Sequence, residues 1–272
     1  MPDWLIAVIA GVVEGVTEFL PISSTGHLIL TADLLQFDSL EGTFEIFIQI
    51  GAVIAVILFY RAELLLQAQN IISSNKGKNQ SSRQLWLGII IAFIPAAVIG
   101  LILGERIEEW LFNPTTVAIA LIVGGILFIV VENYIKGNDT EQLLIEDVPL
   151  TFKQALLVGL WQVLALIPGM SRSGMSIIGG MLSGLDRQRA TQFSFYLAMP
   201  TLGGATLYTL IKNLNTISAD DFVLLGIGAV VSGVVAWFSI GWLLRYVASN
   251  NFIPFGYYRI IVGVLILIVV NI

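Results

Sequence analysis

The sequence predicts an all-α polytopic membrane protein, an inverted repeat of two halves, each with one re-entrant helix hairpin and three transmembrane helices. Three observations carry that expectation. Of the 272 residues, 57% are hydrophobic and only 12% are charged, with a mean hydropathy of +0.89, whereas about a quarter of a soluble domain is charged. Apolar runs of near-bilayer length recur and are interrupted twice by polar turns carrying Pro and Gly. The second half then echoes the first, since Gly159, Ser171, Ser173 and Gly174 fall 148 positions after Gly11, Ser23, Thr25 and Gly26, and Pro168 follows Pro21 with a one-residue slip. I-V-G at 122–124 recurs at 261–263, and Gly88 and Gly226 open comparable spans. Chance similarity among Val, Ile and Gly is the plainer alternative. An odd number of crossings per copy inverts the second, as in many transporter folds. The whole chain then forms one membrane domain, with repeat one at 1–133, a linker at 134–150 and repeat two at 151–272.

Residues 4–20 read as an apolar helix interrupted by Glu14 and Glu18, stopped by Pro21, and 28–35 continue as a second short apolar piece. Neither reaches the roughly 20 residues that cross the hydrocarbon, so a re-entrant hairpin lining a protein cavity fits better. Residues 43–60 make the first span, with Glu45 and Gln49 near one end. Residues 61–84, rich in Ser, Asn, Gln and basic side chains, read as a solvated loop. Spans follow at 85–103 and 114–131, joined by an acidic turn from Glu105 to Glu109, and 134–150 is a polar linker with Asp139, Glu141, Glu146 and Asp147.

Lys and Arg collect in short cytoplasmic loops. With both termini outside, the inner loops receive Arg61, Lys76, Lys78, Arg83, Lys136, Lys153, Arg187, Arg189 and Arg245, against Arg106 and Lys212 outside. That distribution fixes the expected orientation. The net charge of −6 with no basic patch argues against nucleic acid as a partner. The absence of cysteine removes disulfides and thiolate chemistry. No basic n-region or small-residue cleavage pattern marks the N-terminus as a removed signal peptide.

The chemistry concentrates in E-G-V-T-E-F-L-P-I-S-S-T-G-H at 14–27, which holds two carboxylates, three hydroxyls and the single histidine. On a helix, Glu14 and Glu18 share a face, where like charges repel unless a cation or proton lies between them. Pro21 and Gly26 free the Ser23, Ser24 and Thr25 segment from regular structure, so its hydroxyls and N–H groups can turn onto a shared ligand. His27 reads as general acid or base, although a lone histidine is more often a hydrogen-bonded core residue. In P-G-M-S-R-S-G at 168–174, Arg172 is the only charge between Lys153 and Asp186. A guanidinium at membrane depth is costly unless paired, and its planar fork suits phosphate oxygens. The plainer alternative is a structural ion pair with Glu14 or Glu18 that clamps the hairpins together. Ser171, Ser173 and the N–H groups near Gly169 and Gly174 extend this into an anion-binding concavity. Arg259, near the inner end of the last span, either snorkels to water or enters the site. Glu132 and the loop carboxylates read as solvated.

These two motifs resemble the signature motifs of the bacterial undecaprenyl-diphosphate phosphatases of the BacA family. The resemblance runs on through F-E-I-F-I-Q-I-G at 44–51, F-S-F-Y-L-A-M-P at 193–200 and F-I-P-F-G-Y-Y-R at 252–259, so it covers essentially the whole chain without departure at a motif position. It implies a multi-pass enzyme of the bacterial inner membrane that removes the terminal phosphate of undecaprenyl diphosphate on the outer side. The reaction recycles the lipid carrier for peptidoglycan and is associated with bacitracin resistance. It implies a divalent cation, Mg2+ or Ca2+, on Glu14 and Glu18, with Ser24, His27, Glu18 and Arg172 as catalytic residues. The same resemblance implies substrate contacts from Ser23, Thr25, Gly26, Ser171, Ser173, Gly174, Arg259 and Gln49. In the mechanism expected, Ser24 is deprotonated by His27 and attacks phosphorus, with a His27-activated water left open. Membrane lipids are the other partners expected, and a homodimer is left open. The competing class is a transporter or flippase of an anionic, phosphate-bearing lipid.

Overall fold

The computed structural model describes residues 1–36, 43–73, 75–137, 150–213 and 219–270, and all regular structure among them is helical. Helices α1 (Asp3–Thr17) and α2 (Ser24–Leu35) form a first short pair. α3 (Thr43–Phe59), α4 (Arg61–Ile71), α5 (Lys76–Leu111) and α6 (Pro114–Gly137) follow. A second short pair comprises α7 (Phe152–Val163), extended by one 3-10 turn at Leu164–Leu166, and α8 (Arg172–Leu182). The chain closes with α9 (Arg187–Asn213), α10 (Ala219–Val247) and α11 (Ile253–Val270).

By length and apolar composition, Gly77–Leu111, Pro114–Lys136 and Asp221–Val247 are able to cross a membrane, and α3 with α4 makes a fourth candidate bent by 67°. Their outward faces carry large apolar side chains, among them Leu101, Ile102, Val230 and Phe238 at about 70% exposure. Water cannot cover such a belt cheaply and lipid can, so this is a membrane protein.

Small residues bring the helices together. α1 packs on α10, where a Cβ at Gly11 would sit 2.7 Å from the Gly228 carbonyl oxygen; α7 packs on α5, where a Cβ at Gly159 would sit 2.5 Å from that of Ala92. α6 lies along α11, and α3 bridges α9 and α10. The short pairs are thus held inside a frame of longer helices, with their turns in the interior.

Several expectations need correction. The stretch 61–84 is mostly helix, because Gln, Lys, Arg and Leu are good helix formers and polar composition reports solvation, not coil. Only 72–75 separate α4 from α5, with Asn75 capping the latter through its side chain, which accepts from the Lys78 N–H at 3.3 Å. Glu105–Glu109 continues α5 instead of turning, and the break falls at Phe112–Asn113. Glu132 is buried, gripped by Arg187 through Nη2–Oε2 at 2.5 Å and Nε–Oε1 at 3.0 Å, and it accepts the Phe252 N–H at 2.9 Å. One carboxylate thus ties α6, α9 and the start of α11. Asp139, Glu141, Glu146 and Asp147 lie outside the described residues.

Candidate active site

α1 ends at Thr17, three residues before the sequence pattern stops, and Glu18 caps it in helical geometry. The chain turns through Pro21 and reaches Ser23 at φ 72°, a left-handed conformation rare for a residue with a Cβ. The Ser23 hydroxyl accepts the Gly26 N–H at 3.4 Å, so Ser23 is the cap and Ser24 and Thr25 form the first turn of α2 instead of a loop. The second pair repeats this local chemistry. Ser171 has φ 74°, its hydroxyl accepts the Gly174 N–H at 3.1 Å, and Arg172 opens α8. Each such backbone costs about 1–3 kcal/mol and persists only where its surroundings enforce it, which is common at sites of chemistry.

The two turns meet. Arg172 Nη2 donates to Glu18 Oε1 at 2.8 Å, and Ser24 Oγ donates to the other oxygen, Oε2, at 2.5 Å. A second bridge runs from Ser173 Oγ to the Leu20 carbonyl at 3.0 Å. Between the turns lies a cavity of about 170 Å³, whose polar wall comprises Glu18, Ser23, Ser24, Thr25, Gln49, Ser171 and Arg172 with Gln162 and Thr201. Ala96, Ala165, Leu166, Leu202 and Ala205 form its apolar side. Arg172 is further steered by the Ser194 carbonyl, 3.0 Å from Nη1, and stands over the Phe19 ring at 5.7 Å, while its Nε has no partner. A guanidinium on a side chain only 9% exposed, with an N–H unused among the described residues, beside a polar cavity is suited to an anion.

Glu14 is completely buried, and neither of its oxygens meets a donor among the described residues. A carboxylate in that state needs a cation or a proton. With Glu18 one turn away, the pair offers hard oxygen ligands suited to Mg2+ or Ca2+. Among the described residues there is no group of three or more His, Asp and Glu side chains to hold the ion alone.

Four expected contacts face elsewhere. Ser173 is fully buried in the bridge to Leu20, and the N–H groups of Gly26 and Gly174 are used by the caps. Arg259 is also fully buried, and donates to the carbonyls of Pro21, Ala120, Leu121, Gly169 and Met170 at 2.9–3.3 Å. It clamps both turns to α6 and neither snorkels nor reaches the cavity; Gly124 is glycine because a Cβ there would lie 2.0 Å from its Nη2. His27 is likewise turned away. Nδ1 lies 2.7 Å from the Ser23 carbonyl, which can only accept, so Nδ1 carries the proton. Nε2 lies 2.7 Å from the Tyr258 hydroxyl, with the two rings nearly parallel. Ser24 therefore gives its hydrogen bond to Glu18 and not to His27.

Sequence reasoning passed over Gln162, Thr201, Ser194 and Tyr258. Gln162 was findable, because it stands 148 positions after Glu14, the same offset that relates the two serines. Ser194 and Thr201 sit in or beside F-S-F-Y-L-A-M-P, but nothing in that string says which way they point.

A family model described as bacitracin resistance protein BacA matches residues 7–265. Relatives include the undecaprenyl-diphosphatase of Deinococcus radiodurans, 49% identical over 98% of this chain and 96% of its own length. Undecaprenyl-diphosphatase 1 of Chromobacterium violaceum is 48% identical over 96% and 94%, and undecaprenyl-diphosphatase 3 of Acinetobacter baylyi is 43% identical over 97% and 96%. With residues 7–265 matched by that model and these relatives matched over nearly their full length, the chain belongs to the BacA family.

Proposed function

We propose that this membrane protein hydrolyses undecaprenyl diphosphate to undecaprenyl phosphate and inorganic phosphate, recycling the carrier lipid for peptidoglycan synthesis. The observation that carries the proposal is the cluster of Ser24, Glu18 and Arg172 at one cavity: a hydroxyl, its proton acceptor and an anion-binding guanidinium.

The terminal phosphate enters between the turns and draws Arg172 onto its oxygens, where the guanidinium balances charge developing on the transferred phosphoryl group. That withdrawal frees Glu18 Oε1 from its ion pair, while Oε2 keeps the Ser24 hydroxyl. The Ser24 oxygen attacks phosphorus as its proton passes to Glu18, the bridging P–O bond breaks, and undecaprenyl phosphate leaves. Water then cleaves the phosphoserine and releases phosphate. Glu14 and Glu18 would hold a divalent cation, which would supply charge neutralisation for the diphosphate. In this reading His27 is a positioning residue that fixes the Ser23 carbonyl, and Thr25, Gln49 and Gln162 complete the polar wall.

We read the halves 1–133 and 151–272 as an inverted repeat whose short pairs are re-entrant, with both termini and the cavity facing the exterior. Three things support this: the common 148-residue offset, the matching backbone of Ser23 and Ser171, and the packing of α1 on α10 and α7 on α5. Such architecture is shared with transporters. Phosphate release from long-chain isoprenyl diphosphate by detergent-solubilised protein, with EDTA as control, separates the two classes, since transport needs two compartments and hydrolysis does not. Metal-dependent release is the expected result, and no release with either Mg2+ or Ca2+ removes the hydrolase reading.

A further inference from the structure

Gln162, on the last turn of α7, lines the catalytic cavity and is only 1% exposed. Among the described residues its Nε2 makes no hydrogen bond, and its oxygen meets only the Thr201 hydroxyl, at 3.5 Å. That hydroxyl has a single hydrogen, which the Leu197 carbonyl takes at 2.7 Å, so little of it is left for Gln162. A buried amide in this state is less stable than a hydrocarbon of the same size would be. At the 148-residue offset its counterpart is Glu14, which is likewise buried and unpartnered among the described residues. The same position in each short pair thus carries a polar group without a hydrogen-bond partner, an acceptor in the first and a donor in the second.

Its surroundings say which ligand completes it. Arg172 and Ser24 share the two oxygens of Glu18, and Arg172 is steered on α9 by Ser194. Gln162 meets the same helix at Thr201, seven residues on and so roughly 10 Å further along its axis. Ala165 and Leu166 follow Gln162 within about one turn, and Leu202 and Ala205 follow Thr201; all four belong to the apolar side of the cavity. The amide therefore stands where the polar wall gives way to the apolar one. A lipid diphosphate presents the same order, a terminal phosphate, then a second phosphate, then hydrocarbon.

We propose that Gln162 donates from Nε2 to the phosphate that stays on the lipid, while Arg172 takes the phosphate that leaves. This deepens the hydrolysis proposed above, on which it rests, by dividing the two products between two residues. Isoprenyl monophosphate is held at Gln162 and inorganic phosphate at Arg172. A neutral amide binds a phosphate oxygen less firmly than a guanidinium does, which suits a group that must recognise the lipid phosphate and then release it.

The test compares the purified full-length wild type with Gln162→Leu and Gln162→Glu in detergent. Retention of a long-chain isoprenyl monophosphate is titrated by native mass spectrometry, and phosphate release from the diphosphate is followed with added inorganic phosphate as inhibitor. Gln162→Leu is expected to weaken monophosphate retention about tenfold or more, the scale of one hydrogen bond to a charged oxygen, while inhibition by inorganic phosphate changes less than about twofold. Gln162→Glu sets an acceptor of similar size against the phosphate and should weaken retention further. The melting temperature of Gln162→Leu should equal or exceed that of the wild type, because the substitution removes an unpartnered polar group. Unchanged retention in Gln162→Leu overturns the proposal, as does equal weakening of both products. A melting temperature below the wild type in Gln162→Leu also overturns it, since the amide is then structural. Monophosphate retention needs no turnover, so a wild type that releases no phosphate yet loses the monophosphate on Gln162→Leu would keep the lipid-phosphate site and remove the hydrolase reading alone.

Discussion

The two interior turns share a backbone and divide the chemistry between them. Ser23 and Ser171 hold the same left-handed conformation, and each caps its helix by accepting from the glycine three residues on. At the common offset the side chains then diverge: Glu14 corresponds to Gln162, Glu18 to Leu166, Ser24 to Arg172 and His27 to Met175. The first turn carries two carboxylates and the imidazole, whereas the second is neutral apart from one cation. A scaffold used twice can thus carry opposite electrostatics, and the ion pair between Glu18 and Arg172 is where the two versions are joined.

The sharpest way to break this division is to remove the group unique to the first turn. Ser24→Ala is expected to lower phosphate release on the order of 10³-fold or more, measured at saturating substrate; a loss of only a few fold would mean that water attacks directly. Arg172→Ala strips the second turn of its only charge and should cost at least about 2 kcal/mol of transition-state stabilisation, seen as a fall in kcat/KM of roughly 30-fold. Equal turnover in that variant would make the arginine purely a clamp. Glu14→Gln converts the first turn toward the second, and the concentration of Mg2+ or Ca2+ giving half-maximal activity should rise about tenfold or more, read from a metal titration. Ser173→Ala removes the hydrogen bond to Leu20 and should lower thermal stability in detergent by about 1 kcal/mol with little change in metal dependence. Tyr258→Phe removes the donor to His27 Nε2 without disturbing the ring stack. Its expected effect is the smallest, a decrease of no more than about fivefold in turnover.

Much of this site was legible before any coordinates. A lone arginine in an apolar run, a pair of glutamates one turn apart and an offset repeated across the chain point to convergence of the two turns, because charges at membrane depth require partners. What composition does not encode is direction. His27 lies three residues after Ser24 on α2, close enough to suggest a dyad, yet its Nδ1 bonds back to the carbonyl four residues earlier and swings the ring toward α11. Arg259 is equally ambiguous as a symbol, since a guanidinium among carbonyl oxygens and one facing a phosphate read identically in a string. Glu132 was read as solvated because its partner, Arg187, is 55 residues away, a separation no local window spans. Polar character in 61–84 says nothing about the backbone, which is helical over Arg61–Ile71 and again from Lys76.

Arg259 also fastens together parts of the chain that are far apart in sequence. It belongs to α11, and among the described residues it is the side chain that gathers carbonyls from Pro21 in the first turn and from Gly169 and Met170 in the second. Until that side chain arrives, these oxygens have no such donor in an oily interior. Without that side chain the two turns would keep their direct links, Arg172 to Glu18 and Ser173 to the Leu20 carbonyl, but lose the clamp that fastens both of them to α6.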